Sequence, residues 1–411
     1  MNADGRDTKL AMIFVRDHDA GHMPEARQVP KLQISFASCP YDRLNPIMSG
    51  RVPIEGCDVN FFPLRPEELF PRVYHTQDFD VTELSASSHI LTSLRGDANY
   101  LGIPAFVSRV FRHGDIYIRT DRGIGTPADL RGKIVGVPEY QMTAALWIRG
   151  ILFDEYGVKT SDIRWRNGGL QRPGRGERTP ISLPASIELK TIPADKTLSG
   201  MLADGEIDAL ITAVRPLCFT EKAPNVGRLF PDFRPVEEAY YRKTGMFPIM
   251  HMMGVRRSLA AAHPWLPGSI LKACLQARDI AREEMKSTGM FYAMLPWLSD
   301  DLSRAEAVMG PNMWPYGVTS NRKELEAMLR WSFEQGLAPR QGSVEELFAP
   351  GLTEARWDTG HSPRARRARV RSPRLLRPKP RAISPGPDPR HDGFVARTPS
   401  PAAACGRRPQ L

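Results

Sequence analysis

Between Leu130 and Gly157 the chain changes its hydrophobic rhythm twice within a short span. A Gly-bounded turn gives way to the apolar run Ile134–Val137, then to a loop, Pro138–Gln141, then to apolar residues at helical spacing that stop at Gly157. The pattern predicts a buried strand followed by an amphipathic helix, with Glu139, Tyr140 and Thr143 at the hand-over. Leu202–Val214 (LADGEIDALITAV) repeats the theme in reverse: a helix end, a glycine C-cap and a second buried strand that stops at Arg215-Pro216. Upstream, Lys31–Ser38 (KLQISFAS) alternates as a strand and runs into a loop, Cys39–Asn45. Cys57–Leu64 and Phe79–Leu84 read as further strands, and Pro66–His75 as a short helix with proline in its first turn. After Phe79–Leu84 comes Ser85-Ala86-Ser87-Ser88-His89, where Ser87 or Ser88 is expected to cap a helix. Tyr100–Ser108 and Gly114–Arg119 read as strands, Phe247–Val255 (FPIMHMMGV) as an apolar strand that returns late, and Gly268–Met285 and Lys323–Leu337 as helices.

Strands alternating with helices over 411 residues predict an α/β protein with room for two cores. The pair Leu130–Gly157 and Leu202–Val214 resembles the second lobe of the periplasmic-binding-protein-like type II fold, in which a ligand cleft lies between two α/β lobes. That resemblance implies a first lobe over 31–114, a second over 115–233, and a return to the first over 234–355 with C-terminal helices. Residues 1–30 read as a flexible leader. Within the second lobe, Asn167–Pro184 is rich in Gly, Arg and Pro and reads as a surface loop.

The net charge of +10 changes this picture only at one end. From His361 onward there are twelve Arg, one Lys and two Asp, a surplus of +11, so the preceding residues carry −1. Residues 356–411 are expected to be a disordered Arg/Pro-rich tail, because they lack the apolar periodicity that offsets ordering entropy. The folded body then has no bias toward nucleic acid, and no nucleic-acid partner is expected for it. No apolar run approaches the length of a membrane span. The apolar stretch Leu10–Val15 is too short for a signal-peptide core and is flanked by charges, so no membrane partner and a cytoplasmic location are expected. The five cysteines, Cys39, Cys57, Cys218, Cys274 and Cys405, show no C-x-x-C spacing and read as core or incidental thiols, with a reactive role for Cys39 as the alternative.

Five strings together resemble the 4,5-dihydroxyphthalate decarboxylase family: Thr126–Val158 (containing VPEYQMTAALWIRGIL), Tyr41–Val52 (YDRLNPIMSGRV), Asp80–Ile90 (DVTELSASSHI), Ile103–Ile118 (IPAFVSRVFRHGDIYI) and Gly205–Pro216 (GEIDALITAVRP). The resemblance spans about residues 31–350. It implies non-oxidative decarboxylation of a dihydroxylated aromatic dicarboxylate to 3,4-dihydroxybenzoate, as in phthalate catabolism. It transfers no catalytic residue, so those are read from chemistry and position.

The reaction needs a general acid to protonate the ring carbon, an apolar wall beside the departing carboxylate, and a cationic clamp for the retained one. His113, at the crossover between lobes, is the first choice for the acid and His251, in the apolar returning strand, the second; each is equally readable as a packed histidine. Glu83, at the end of the third strand, is expected to take a catechol proton or to sit in an ion pair. Arg43, flanked by Tyr41 and Asp42, and Arg215 are expected to clamp substrate from opposite lobes. Ser85, Ser87, His89, Glu139, Tyr140 and Thr143 complete the expected substrate-binding set, with Tyr140 able to stack on a ring. No G-x-G-x-x-G fingerprint is present and no cofactor is expected. A divalent metal is the alternative, with His113, His251 and Glu83 as donors, although no local ligand motif supports it. The competing function is a small-solute-binding protein of an ABC transporter for an aromatic or sulfonate-like ligand; missing export signals argue against it. The partner expected is a small aromatic dicarboxylate, with a homo-oligomer left open.

Overall fold

A computed structural model describes residues 30–354 apart from Arg175. The leader, Pro30 excepted, and the tail over 356–411 lie outside the described residues. Two sheets carry the architecture. The first has the order β2 (Cys57–Pro63), β1 (Leu32–Ser38), β3 (Val81–Ser85), β11 (Ile249–Arg256) and β4 (Tyr100–Arg109). β1 runs parallel to β2 and β3, whereas β11 is antiparallel to both β3 and β4. The second sheet has the order β10 (Val226–Arg228), β5 (Ile116–Arg119), β9 (Ala209–Ile211), β6 (Ile134–Val137), β7 (Arg164–Asn167) and β8 (Leu189–Thr191). The chain leaves the first sheet after Arg109 and returns at Ile249, so the late apolar strand FPIMHMMGV lies between two strands made far earlier. This is the two-lobed α/β arrangement that the sequence resemblance implied.

The parallel strands place their carboxyl ends, and the helices that follow, at one edge of each sheet, where ligands bind in open α/β folds. β3 hands over at Ser85 to the helix Ala86–Arg95, and β6 to the loop before the helix Thr143–Tyr156. Both helices end on a left-handed glycine, Gly96 (φ 87°) and Gly157 (φ 66°), where a Cβ would be strained.

The helix Thr143–Tyr156 departs from the amphipathic expectation: residues 143–152 are all buried. Its apolar run wraps the whole circumference because both lobes cover it. Trp147 Nε1 donates to the Ile249 carbonyl of the first sheet at 2.8 Å, and the Trp147 and Trp331 rings meet edge-on at 4.9 Å. A Cβ at Gly150 would lie 2.3 Å from the Trp331 ring, so glycine here permits the helix Arg322–Glu334 to approach. Among the described residues, no helix is long and apolar enough to cross a membrane.

Candidate functional site

Glu83 is the hub. Ser38 extends the parallel pairing of β1 with β3 to lie beside it, and β11 brings His251 opposite Ser85, two residues along the same face. One carboxylate oxygen accepts from Ser38 Oγ at 2.7 Å and from the Cys39 amide at 2.8 Å. The other accepts from Tyr41 Oη at 2.8 Å and meets His251 Nδ1 at 2.5 Å. Burial by itself would raise the Glu83 pKa; the hydrogen bond and charge of His251, with the Cys39 amide and Ser38 hydroxyl, outweigh it and bring it to about 2. An ionised acceptor on Nδ1 fixes the imidazole's orientation and leaves Nε2 for chemistry, since His251 stays 17% exposed while Glu83 is fully buried. The Phe70 ring meets the imidazole edge-on at 4.9 Å and gives it an apolar neighbour. Cys39 shares the hub through its amide, but burial and then Glu83 push its thiol up to about 12, so the reactive role does not fit this environment.

His113 does not join this group. It sits in the short turn His113–Asp115 at the crossover, 2% exposed, between the rings of Phe230 and Tyr240 at 5.6 and 5.2 Å. Neither ring nitrogen has a hydrogen-bond partner among the described residues, and Glu237 stands 4.0 Å away. Desolvation lowers its pKa to about 4, which disfavours the imidazolium form. Of the two histidines singled out from the sequence, His251 joins the group around Glu83 and His113 lies apart from it. Among the described residues no three His, Cys, Asp or Glu side chains converge as metal ligands, so His113, His251 and Glu83 do not make the donor set considered above.

Two helix N-termini meet beside the hub. Ser85 Oγ and Thr143 Oγ1 are 2.9 Å apart, and the Ser87 amide donates to Thr143 Oγ1 at 3.1 Å. Thr143, from the other lobe, thus satisfies a first-turn amide of the helix Ala86–Arg95, the task expected of Ser87 or Ser88. Ser85 occupies the N-cap position without a side-chain cap bond, its hydroxyl being engaged by Thr143, and Ser87 and Ser88 lie inside the helix. Ser88 Oγ instead donates to Gln141 Oε1, whose amide nitrogen donates to Glu139 at 2.7 Å. The positive ends of both helix dipoles face the same region, which favours an anionic ligand.

The segment expected as a surface loop crosses between the lobes. Glu177 accepts from the amides of Tyr140 and Gln141 at 2.6 and 3.3 Å, and the Arg178 carbonyl accepts from His75 Nε2 of the first lobe at 2.9 Å. Arg95 donates to the Pro180 carbonyl at 3.0 Å. Arg178 itself is 10% exposed, pairs with Glu139 at 2.9 Å and lies 5.0 Å over the Phe70 ring. Arg178 also borders a cavity of about 480 Å³ lined by Tyr74, His75, His89 and Arg95. Leu84 lines that cavity, and strand alternation puts it on the opposite face from Glu83 and Ser85, so the cavity is not the seat of the hub.

The remaining expected residues fall elsewhere. Arg43 donates to the Val107 carbonyl at 2.6 Å and to Asp42 at 2.7 Å, and lies between the rings of Tyr41 and Trp314 at 4.1 and 4.3 Å, so its guanidinium is engaged within the first lobe. Arg215 is exposed beyond β9, its carbonyl accepting from Gln171 at 2.9 Å. Tyr140 is fully buried, donates to the Gln335 carbonyl at 3.0 Å and stacks under Arg149 at 3.9 Å, so it cannot stack on a ligand. His89 Nε2 donates to the Leu347 carbonyl at 2.7 Å, and burial lowers its pKa to about 4, the behaviour of a structural histidine. Sequence reasoning missed Ser38, Phe70, Gln141 and Arg178. Ser38 was readable as the last residue of an alternating strand; the others act through contacts distant in sequence.

The chain is 42% identical over 325 residues to the 4,5-dihydroxyphthalate decarboxylase of Comamonas testosteroni, covering 79% of this chain and 98% of that protein. It belongs to the 4,5-dihydroxyphthalate decarboxylase family. The family member from Pseudomonas putida is 44% identical over 212 residues, 52% of this chain and 82% of that one. No protein-family model matches the chain. Among solved structures, the aliphatic sulphonate binding protein SsuA from Escherichia coli aligns over 79% of this chain and 99% of its own at 13% identity and a TM-score of 0.44. The desulfurization enzyme DSZB aligns over 78% and 97% at 15% identity and a TM-score of 0.43.

Proposed function

We propose that this protein converts 4,5-dihydroxyphthalate to 3,4-dihydroxybenzoate and CO2 without an oxidant, a reductant or a cofactor. The observation that carries the chemistry is the Glu83–His251 pair inside a family member: an ionised, four-fold hydrogen-bonded carboxylate orienting an imidazole that keeps one nitrogen free. A ring hydroxyl para to one carboxylate pushes electron density onto the carbon that bears it. His251, in its imidazolium form, delivers the Nε2 proton to that carbon. The carbon–carbon electron pair then returns to the ring as CO2 departs, and a hydrogen stands where the carboxylate was. His251 regains its proton from solvent, while Glu83 remains ionised throughout. Tyr41 and Ser38 hold Glu83 in place. The Phe70 ring keeps water from one side of the imidazole, and the paired helix N-termini at Ser85 and Thr143 offer positive potential to a dianion.

The test is direct. Purified protein incubated with 4,5-dihydroxyphthalate should release CO2 and protocatechuate in equal amounts without added metal or nucleotide. Tight binding of the dicarboxylate with no CO2 release would overturn the enzymatic reading in favour of solute binding.

A further inference from the structure

A dianionic substrate beside His251 needs a cation with hydrogen-bonding capacity, and the two arginines expected from the sequence are poorly placed for it: Arg43 is bonded to the Val107 carbonyl and enclosed between the Tyr41 and Trp314 rings within the first lobe, and Arg215 stands exposed beyond β9. Arg178 is better placed. The His251 imidazole and the Arg178 guanidinium border the same Phe70 ring, at 4.9 and 5.0 Å from its centre, and so lie within about 10 Å of each other. One substituted benzene ring with its hydrogen bonds bridges such a distance. Arg178 is held close to the helix N-termini by its own segment: the neighbouring Glu177 binds the Tyr140 and Gln141 amides, just before Thr143. Its present partner, Glu139, is a carboxylate 2.9 Å away, so the guanidinium already occupies a carboxylate-binding geometry.

We infer that Arg178 is the residue that recognises a carboxylate of the substrate, with Glu139 as the internal carboxylate that holds the guanidinium in position between turnovers. This rests on the decarboxylase reading above and deepens it by assigning specificity to the segment that spans the cleft. Phe70 supports the guanidinium from one face through a cation–π contact, and the Glu139–Gln141–Ser88 chain ties its counter-ion to the first lobe. A guanidinium in this place selects ligands that carry a second carboxylate next to the one on the carbon that His251 protonates. Catechols without one gain nothing from it.

The test separates the two ends of the substrate. Full-length wild type, Arg178→Ala and Arg178→Lys are titrated calorimetrically with phthalate, which has two carboxylates and no hydroxyls, and with catechol, which has two hydroxyls and no carboxylate. Arg178→Ala should weaken phthalate by about tenfold or more, as expected for a lost charge-assisted hydrogen bond, and leave catechol unchanged; Arg178→Lys should restore part of the phthalate affinity. Equal phthalate affinity in wild type and Arg178→Ala overturns the assignment, as does failure of the wild type to bind phthalate. Loss of catechol together with phthalate also overturns it, because the arginine would then be holding the segment rather than the ligand. Absence of wild-type turnover on 4,5-dihydroxyphthalate would instead count against the decarboxylase reading, and the phthalate and catechol titrations would still decide Arg178.

Discussion

Replacing Glu83 with Gln keeps the side-chain shape and exchanges one acceptor oxygen for an amino donor. The carboxylate takes two hydrogen bonds on each oxygen, so the amide must choose an orientation. With the amino group toward Ser38 and Cys39, the fixed Cys39 amide loses its acceptor, a buried unsatisfied donor that costs about 1–3 kcal/mol. With the amino group toward Tyr41 and His251, the Tyr41 hydroxyl can rotate to accept, but His251 Nδ1 can accept only without its proton. The second orientation prevails and holds the imidazole in its neutral Nε2–H form. The imidazolium needed to protonate the ring then faces a donor in place of an anion. Turnover should fall by about a hundredfold to ten-thousandfold, the usual worth of general acid catalysis. The fold should survive: the charge-assisted bond lost is worth about 1.5–3 kcal/mol, partly offset because a carboxylate no longer has to be buried. The assay is protocatechuate formation and CO2 release across neutral pH, with thermal melting as the control for folding. A Glu83→Gln protein that melts like wild type and turns over within about threefold of it would refute a general-acid role for the pair.

Three further outcomes are expected. His251→Gln should lose turnover by about the same hundredfold to ten-thousandfold, whereas His113→Gln should keep near-wild-type turnover because a buried, neutral His113 takes no part in proton delivery; kinetics of the two variants side by side check this. Desolvation first, and Asp115 next among the groups that raise it, lift the Glu237 carboxyl from its ordinary 4.5 to about 7, so the folded state binds more protons between those values: stability should decline as pH rises from 4.5 through 7, and Glu237→Gln should flatten that decline in melting curves. For His89 and His113, burial depresses the pKa from 6.5 to about 4, so their contribution is present above 6.5 and is lost as pH falls toward 4; His89→Asn should reduce the steepness of that acid loss in the same melts, and an unchanged steepness would remove His89 from it.

Local pattern was enough to place most strands and helices. β1, β4, β6 and β11 lie within a residue or two of where alternation, apolar runs and their closing turn residues put them, because a period of two or a bounded apolar run depends on neighbours along the chain. The helix Thr143–Tyr156 was found but its environment was not: Gly150 against Trp331 and Trp147 against Ile249 bury the face that an isolated amphipathic reading leaves to solvent. The segment before Pro184 read as a surface loop because Gly, Pro and Arg signal irregular backbone, yet the same composition serves a stretch of chain that bonds both lobes.

The sequence by itself determined the α/β class, the strand ends at which Ser38, Glu83, Ser85 and Thr143 stand, and membership of a decarboxylase family through long strings around those ends. Only the tertiary structure decided which of these residues act together. The antiparallel register of β11 on β3 sets His251 opposite Ser85 and within reach of Glu83 across a gap of 168 residues, and burial at the crossover disfavours the charged form of His113. Neither is readable from periodicity, because register between distant strands and the dielectric around a side chain are fixed by what packs against them, not by what precedes them in the chain.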